Sequence, residues 1–157
     1  MKFVRLQETA LVCALCFILL AALAIPGCAR QKRGSDTVEM KAYLKTLNDS
    51  PDELHSDITP SVLALSEMGL RAVPSLLDLM ADDDKMTRLH AQRALELIME
   101  KRHGYVRGKA LPENAAELVR EEWRANGNYD YSADAETRAA CIAKWREWLA
   151  KTLAGQK

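Results

Sequence analysis

Excess charge of either sign is missing from this sequence, in which 22 lysines and arginines face 22 aspartates and glutamates. A surface built to hold nucleic acid needs clustered surplus positive charge, so nothing here points to that class of partner. Usable cysteine is scarce as well. Cys13 and Cys16 lie inside an apolar run and Cys28 stands just beyond its end, which leaves Cys141 alone in the remainder of the chain. No internal disulfide can form there, and the fold must rest on packing. His55, His90 and His103 are scattered, and His90 and His103 have no ligand spacing with each other or with Cys141. Neither a zinc site nor a Cys-His nucleophile pair is expected, and His90 and His103 read as surface or boundary residues. At 157 residues and 48% hydrophobic content the chain has material for one domain with a modest core and no room for a second.

One long hydrophobic stretch is present, and it stands at the start. Lys2 and Arg5 precede an unbroken apolar run from Ala10 to Ile25, which ends in Ile25-Pro26-Gly27-Cys28. That is the layout of a secretory signal. As a helix the run reaches about 24 Å, short of the roughly 30 Å hydrocarbon core of a bilayer. Gly27 before Cys28, with Ile25 two positions earlier, resembles the bacterial lipobox, in which the cysteine is acylated and becomes the new N-terminus. Pro26 departs from that pattern. The resemblance implies a signal peptide over residues 1–27, lipidation at Cys28, and a tether over 28–35. Two alternatives stand beside it: an uncleaved anchor accommodated by tilt or bilayer thinning, and a cleaved, soluble secreted form. Basic residues flank the run on both sides, Lys2 and Arg5 before it and Arg30, Lys32 and Arg33 after it, so orientation stays open. The lipoprotein and uncleaved-anchor readings place the folded part at a membrane of the cell envelope, periplasmic or surface-facing.

Residues 36–157 read as one all-α domain. Asp36-x-x-Glu39 has capping-box spacing and opens a helix with Met40, Leu44 and Leu47 on one face, followed by a loop from Asn48 to Asp57. Thr59-Pro60 opens a second helix with the stripe Val62, Leu65 and Met68, closed by Gly69. A third carries Val73, Leu76, Leu77 and Met80, with Pro74 in the first turn, where its missing N–H does no harm, and Asp82 to Asp84 at its end. From Thr87 to Lys101 the stripe is Ala91, Ala94, Leu95 and Ile98, with Arg88, Gln92, Glu96 and Glu100 on a polar opposite face. Gly104 caps that helix. Pro112-Glu113 begins another, with Ala115, Leu118, Val119 and Trp123 on a face, ending at Asn126-Gly127. The last runs from about Ala135 to Leu153, its stripe Ile142, Trp145, Leu149 and Leu153 widened by Ala139 and Trp148. Short amphipathic helices joined by turns cannot bury their stripes alone, so they should stack antiparallel.

The string Leu65, Gly69, Ala72-Val73-Pro74, Leu76-Leu77, Asp82, Arg88, Ala91, Ala94-Leu95, Ile98 resembles a HEAT repeat of the short bacterial, phycobilisome-lyase-like kind. The match covers about 40 residues and departs from the family at Thr87, where an apolar residue is usual. Residues 126–149, with Gly127, Tyr129, Asp130-Tyr131, Arg138, Trp145 and Trp148-Leu149, are similar to the tail of small envelope-associated HEAT proteins ending in Trp-x-x-Trp. The resemblance implies antiparallel helical hairpins stacked as a short HEAT-like solenoid with helical caps, and Gly69, Pro74, Asp82 and Arg88 as structural repeat positions. It also implies a surface that holds a protein partner, with no catalysis and no cofactor. So few repeats are near the lower limit for a free-standing stack, which makes a homo-oligomer a further expectation.

Candidate sites are few. Trp148, slightly off the stripe, could join Tyr129 and Tyr131 in an exposed patch for the protein partner, with packing as the competing use. Asn126, Asn128, Asp130 and Asp134 alternate as in a calcium loop. Tyr131 replaces the glycine such a loop needs and Thr137 its closing glutamate, so no metal is expected. Asp82 to Asp84 read as a turn and an N-cap. Cys141, beside Ile142, reads as a small buried apolar residue. A second hypothesis, an envelope enzyme or enzyme-associated factor of hydrolase or lyase type, would have to use Asp130 or Cys141. It needs titratable side chains converging in a pocket.

Overall fold

The computed structural model describes residues 37–110 and 112–155. The signal, lipidation and tether assignments, Cys28 among them, lie outside the described residues, as does Asp36 of the expected capping box. The chain divides into two compact units, 1–38 and 39–157. Of the first, only the start of one helix is described, and the second holds the other elements.

Every regular element among the described residues is helical, and no strand occurs there. In chain order they are α1 (residues 37–45), α2 (Pro60–Met68), a 3₁₀ turn (Gly69–Arg71), α3 (Val73–Leu79), α4 (Lys85–Arg102), α5 (Ala115–Ala125) and α6 (Ala135–Ala154). Local chemistry sets their ends. The buried Thr59 hydroxyl accepts from the Val62 N–H at 3.0 Å and donates to the Leu47 carbonyl at 2.9 Å, so one side chain starts α2 and ties it to the end of the preceding segment. Gly69 ends α2 at φ 60, in the left-handed region that favours glycine. Asp84 caps α4, accepting from both the N–H and the hydroxyl of Thr87 at 2.7 Å. Thr87, the departure from the family string, is therefore half of the cap.

The core gathers on α4, which packs against α2, α3 and α5, while α3 also meets α6. Val62, Leu65, Val73, Leu76, Leu77, Met80, Ala91, Ala94, Leu95 and Ile98, all expected inside, are buried, as are Ile142, Trp145 and Leu149. The expected stripe of α6 is too long. Ala139 is exposed and Leu153 is 45% exposed. The α6 helix has 20 residues and α3, against which it packs, has seven. At 1.5 Å per residue the longer helix overhangs the shorter by more than 15 Å, which leaves Leu153 in its last turn unburied, while Ala139 lies to one side of the buried face of Cys141, Ile142, Trp145 and Leu149. Leu118 of α5, also expected inside, is 38% exposed.

The start of α4 is built a second time, fifty residues on, at the start of α6. Asp84, Thr87 and Arg88 return as Asp134, Thr137 and Arg138. Asp134 accepts from the Thr137 N–H at 2.8 Å and from its hydroxyl at 2.7 Å. Arg88 donates to the carbonyls of Asp82 and Asp83, and Arg138 donates to the carbonyl of Ala133. The buried faces follow in register, Ala91 with Cys141, Leu95 with Trp145 and Met99 with Leu149.

Between α5 and α6 the chain turns at Gly127, whose φ is 96°. A Cβ there would lie 2.9 Å from Cys141 Sγ and 3.4 Å from its Cα. Strain and overlap add, so Gly127→Ala should lose about 1–3 kcal/mol in urea unfolding. The double variant with Cys141→Ala should recover the part due to overlap. A neutral single variant would show that this turn is not held against α6.

Candidate functional site

A groove of about 370 Å³ runs between α4 and α5. Its floor is Val119 and Trp123, one wall is Glu96 and Glu100, the other Arg120 and Arg124, and Asn128 closes one end. The two walls are charge inverses. On α4, Arg93, Glu96 and Glu100 stand at i, i+3 and i+7, with Arg93 Nη1 3.1 Å from Glu96 and 3.3 Å from Glu100. On α5, Glu117, Arg120 and Arg124 have the same spacing, and the Glu117 carboxylate receives Arg120 at 2.6 Å and Arg124 at 2.7 Å. Residues so spaced share a helix face. One guanidinium thus serves two carboxylates on the first wall, and one carboxylate serves two guanidinia on the second. Asp57, 3.2 Å from Arg93 Nε, adds a third acid around that arginine. Burial works against the Arg93 charge, yet Glu100, then Glu96 and Asp57, outweigh it and push the guanidinium pKa above its ordinary value. Glu117 is held below the usual carboxylate range by Arg120 first and Arg124 second.

Trp123 is pinned as the floor. Its indole N–H donates to the Tyr129 carbonyl at 3.0 Å, and its ring centroid lies 5.0 Å from that of Trp145. Trp145 in turn meets Trp148 edge-on at 5.2 Å. Trp148 is half-buried, has the Arg102 guanidinium over its ring at 5.2 Å, and lines a second groove of about 390 Å³ with Glu122, Lys144 and Lys151.

The three aromatics expected to share one patch are separated. Tyr129 is 2% exposed, and its hydroxyl donates to the Met80 carbonyl at 2.6 Å. The end of α3 leaves carbonyls without intrahelical partners, and this phenol serves one of them. Burial, the largest cause, pushes the Tyr129 pKa up to about 12. Tyr129 is therefore a core residue, which corrects the expectation of a surface contact. Tyr131 lies beside Lys85, 5.5 Å from its ring, at the start of α4, whereas Trp148 lies beside Arg102 at its end. Those ends are about 25 Å apart along the helix.

The repeat positions sit in local structure. Gly69 and Pro74 mark helix ends, and Asp82 accepts the Asp84 N–H at 2.8 Å. Arg88 is not on a polar outer face as expected. It is 8% exposed and also donates from Nε to the Tyr131 carbonyl at 2.9 Å, while Gln92 accepts the Tyr131 N–H at 2.9 Å. The 129–131 loop covers that end of α4.

His90 is likewise interior, at 1% exposure. Its Nδ1 faces Asn48 Oδ1 at 2.7 Å and its Nε2 faces the Ser56 carbonyl at 2.9 Å. Asn48 is oriented by its own Nδ2, which donates to Asp84 and Thr87. The ring thereby fastens the 48–57 loop to α4.

Asp130 and Cys141 do not converge. Asp130 is exposed and accepts from the Ser132 N–H and hydroxyl at 2.7 Å, bonds that hold its carboxyl below the usual range. Cys141 is buried and donates its S–H to the Gly127 carbonyl at 3.0 Å. Neither lines either groove. Of the residues in the calcium-like spacing, Asn126 is buried and bonded to the Glu122 carbonyl, and Asp134 is the cap of α6. Among the described residues no cluster of three or more His, Cys, Asp or Glu is placed to hold a metal ion.

The groove between α4 and α5 was not read from the sequence. Its signal was there, in two triplets of inverse sign at i, i+3 and i+7, but pairing them needs to know that α4 and α5 are neighbours.

The two caps make a pH prediction. Asp84 is lowered from its ordinary 3.8 by Thr87, through its hydroxyl first and its N–H second. Asp134 is lowered from 3.8 by the Thr137 N–H and then its hydroxyl. A carboxyl that resists protonation more in the folded than in the unfolded chain adds stability above the unfolded value, and that stability is lost as pH falls through the folded one. The urea midpoint should therefore drop below about pH 4. The double variant Asp84→Asn, Asp134→Asn keeps capping oxygens and should remove part of this acid limb, the remainder belonging to carboxyls such as Glu117 and Asp130 that are lowered as well. An unchanged limb would assign it to other groups.

No helix among the described residues is long and apolar enough to cross a membrane. No family model, curated protein or solved structure matches this chain.

Proposed function

We propose that this chain is a membrane-tethered, non-catalytic interaction module of the bacterial cell envelope. In this reading the N-terminus is a lipoprotein-type signal ending at Cys28. The folded part is a short HEAT-like solenoid of antiparallel hairpins whose side grooves receive a protein partner. The observation that carries it is the duplicated helix start, with Arg88 of the first copy reaching the loop that leads into the second. Consecutive units locked through one buried guanidinium are what a stack of repeats requires, since each unit is too small to bury its own face. The grooves support a binding role, because they combine a fixed aromatic floor with charged rims.

The test is fractionation of cells expressing the full chain and its Cys28→Ala variant, followed by capture from detergent-solubilised membranes. The unaltered chain should sediment with membranes, carry an acyl mass increment and bring down a protein partner. The variant should keep the uncleaved signal and lose the increment. Identical mass and partition for the two would end the lipoprotein part of this reading.

A further inference from the structure

We propose that the groove between α4 and α5 binds a peptide segment in which a basic and an acidic side chain flank an apolar one. This rests on the reading of the chain as an interaction module and names the chemistry of what it holds. Neutralisation within each triplet is incomplete. Around Arg93 stand three carboxylates, Asp57, Glu96 and Glu100, for one guanidinium. Around Glu117 stand two guanidinia for one carboxylate, and all three of those side chains are at least half exposed. Of the charged residues that line the groove itself, those from α4 are the acids Glu96 and Glu100 and those from α5 are the bases Arg120 and Arg124. A polyanion or an anionic membrane would be attracted by one wall and repelled by the other. A ligand with one charge of each sign satisfies both.

The floor sets the middle of the ligand. Trp123 cannot swing up to fill the groove, because its N–H is held by the Tyr129 carbonyl and its ring packs on Trp145. Its exposed part and Val119 therefore offer an apolar surface whose covering removes water from both. The groove encloses about 370 Å³, more than a single side chain needs. The order of charges follows from the walls: the ligand's base goes to Glu96 and Glu100, its acid to Arg120 and Arg124.

The full chain in detergent micelles, with ¹⁵N-labelled tryptophan, would be titrated with capped Lys-Leu-Glu, Glu-Leu-Lys and Gln-Leu-Gln. The Trp123 indole resonance, assigned with Trp123→Phe, is the readout. At least one charged peptide should shift it saturably, and the neutral peptide should bind at least tenfold more weakly. Glu100→Gln should weaken the charged peptide several-fold, and should have no further effect on a peptide whose Lys is replaced by Gln. Arg124→Gln should do the same for the acidic side, and its exposed position keeps the test open if Glu100→Gln fails to fold. Equal binding of the neutral peptide, or no saturable shift with any of the three, would overturn the assignment. Membrane partition and acylation at Cys28 do not involve this groove, so they separate failure here from failure of the broader reading.

Discussion

Replacing Arg88 by methionine should cost about 3–5 kcal/mol of unfolding free energy, a large share of the 5–15 kcal/mol typical of a small domain. The guanidinium makes three hydrogen bonds from a nearly buried position, to the carbonyls of Tyr131, Asp82 and Asp83 at 2.9, 2.8 and 2.7 Å. A hydrogen bond with a charged partner is worth about 1.5–3 kcal/mol, and the carbonyls left behind add a desolvation cost. The three share one side chain and are not additive, which brings the total down to the stated range. Methionine fills the stem's volume, so the loss reports the polar contacts. The counterpart Arg138→Met removes one such bond, to Ala133, and an Nε that has no partner. It should cost about 1–2 kcal/mol. Lysine at position 88 keeps the charge without the fork and should fall between the wild type and methionine. Urea unfolding near pH 7 decides it. If Arg88→Met and Arg138→Met were equally mild, Arg88 would not be the link between the two copies of the helix start.

Trp145→Ala should be comparably damaging, at about 3–5 kcal/mol. This side chain has no exposure and touches Trp123 on one side and Trp148 on the other, so its removal opens a cavity and deletes two aromatic contacts. Trp145→Phe should be far milder, about 1–2 kcal/mol. The indole N–H of Trp145 is buried without a hydrogen-bond partner, and phenylalanine removes that unsatisfied donor along with some volume. A phenylalanine variant as unstable as the alanine one would mean the N–H is bonded after all. Because Trp145 supports the groove floor, Trp145→Ala should also broaden the Trp123 indole signal where the chain remains folded.

Most of the helical framework was legible in the sequence, for a local reason. Stripes such as Val73, Leu76, Leu77 and Met80 repeat within a few residues, and the end signals at Thr59, Gly69 and Pro74 act within a turn of their own position. The duplication of Asp84, Thr87 and Arg88 at Asp134, Thr137 and Arg138 was equally present, yet it went unread because it needs comparison across fifty residues. The candidate sites were less legible. Tyr129, Tyr131 and Trp148, expected in one patch, lie in the core, at the start of α4 and at its end.

By itself the sequence determined that the regular elements among the described residues are helices, where most begin and end, and which apolar stripes turn inward. Those features depend on neighbours three or four positions away. Only the tertiary structure decided the fate of side chains that can serve either water or the interior. Arg88, His90 and Tyr129 went inside because carbonyls from Asp82, Tyr131, Ser56 and Met80 converge on them. A backbone carbonyl has the same chemistry at every position, so no side-chain pattern announces where one will need a donor.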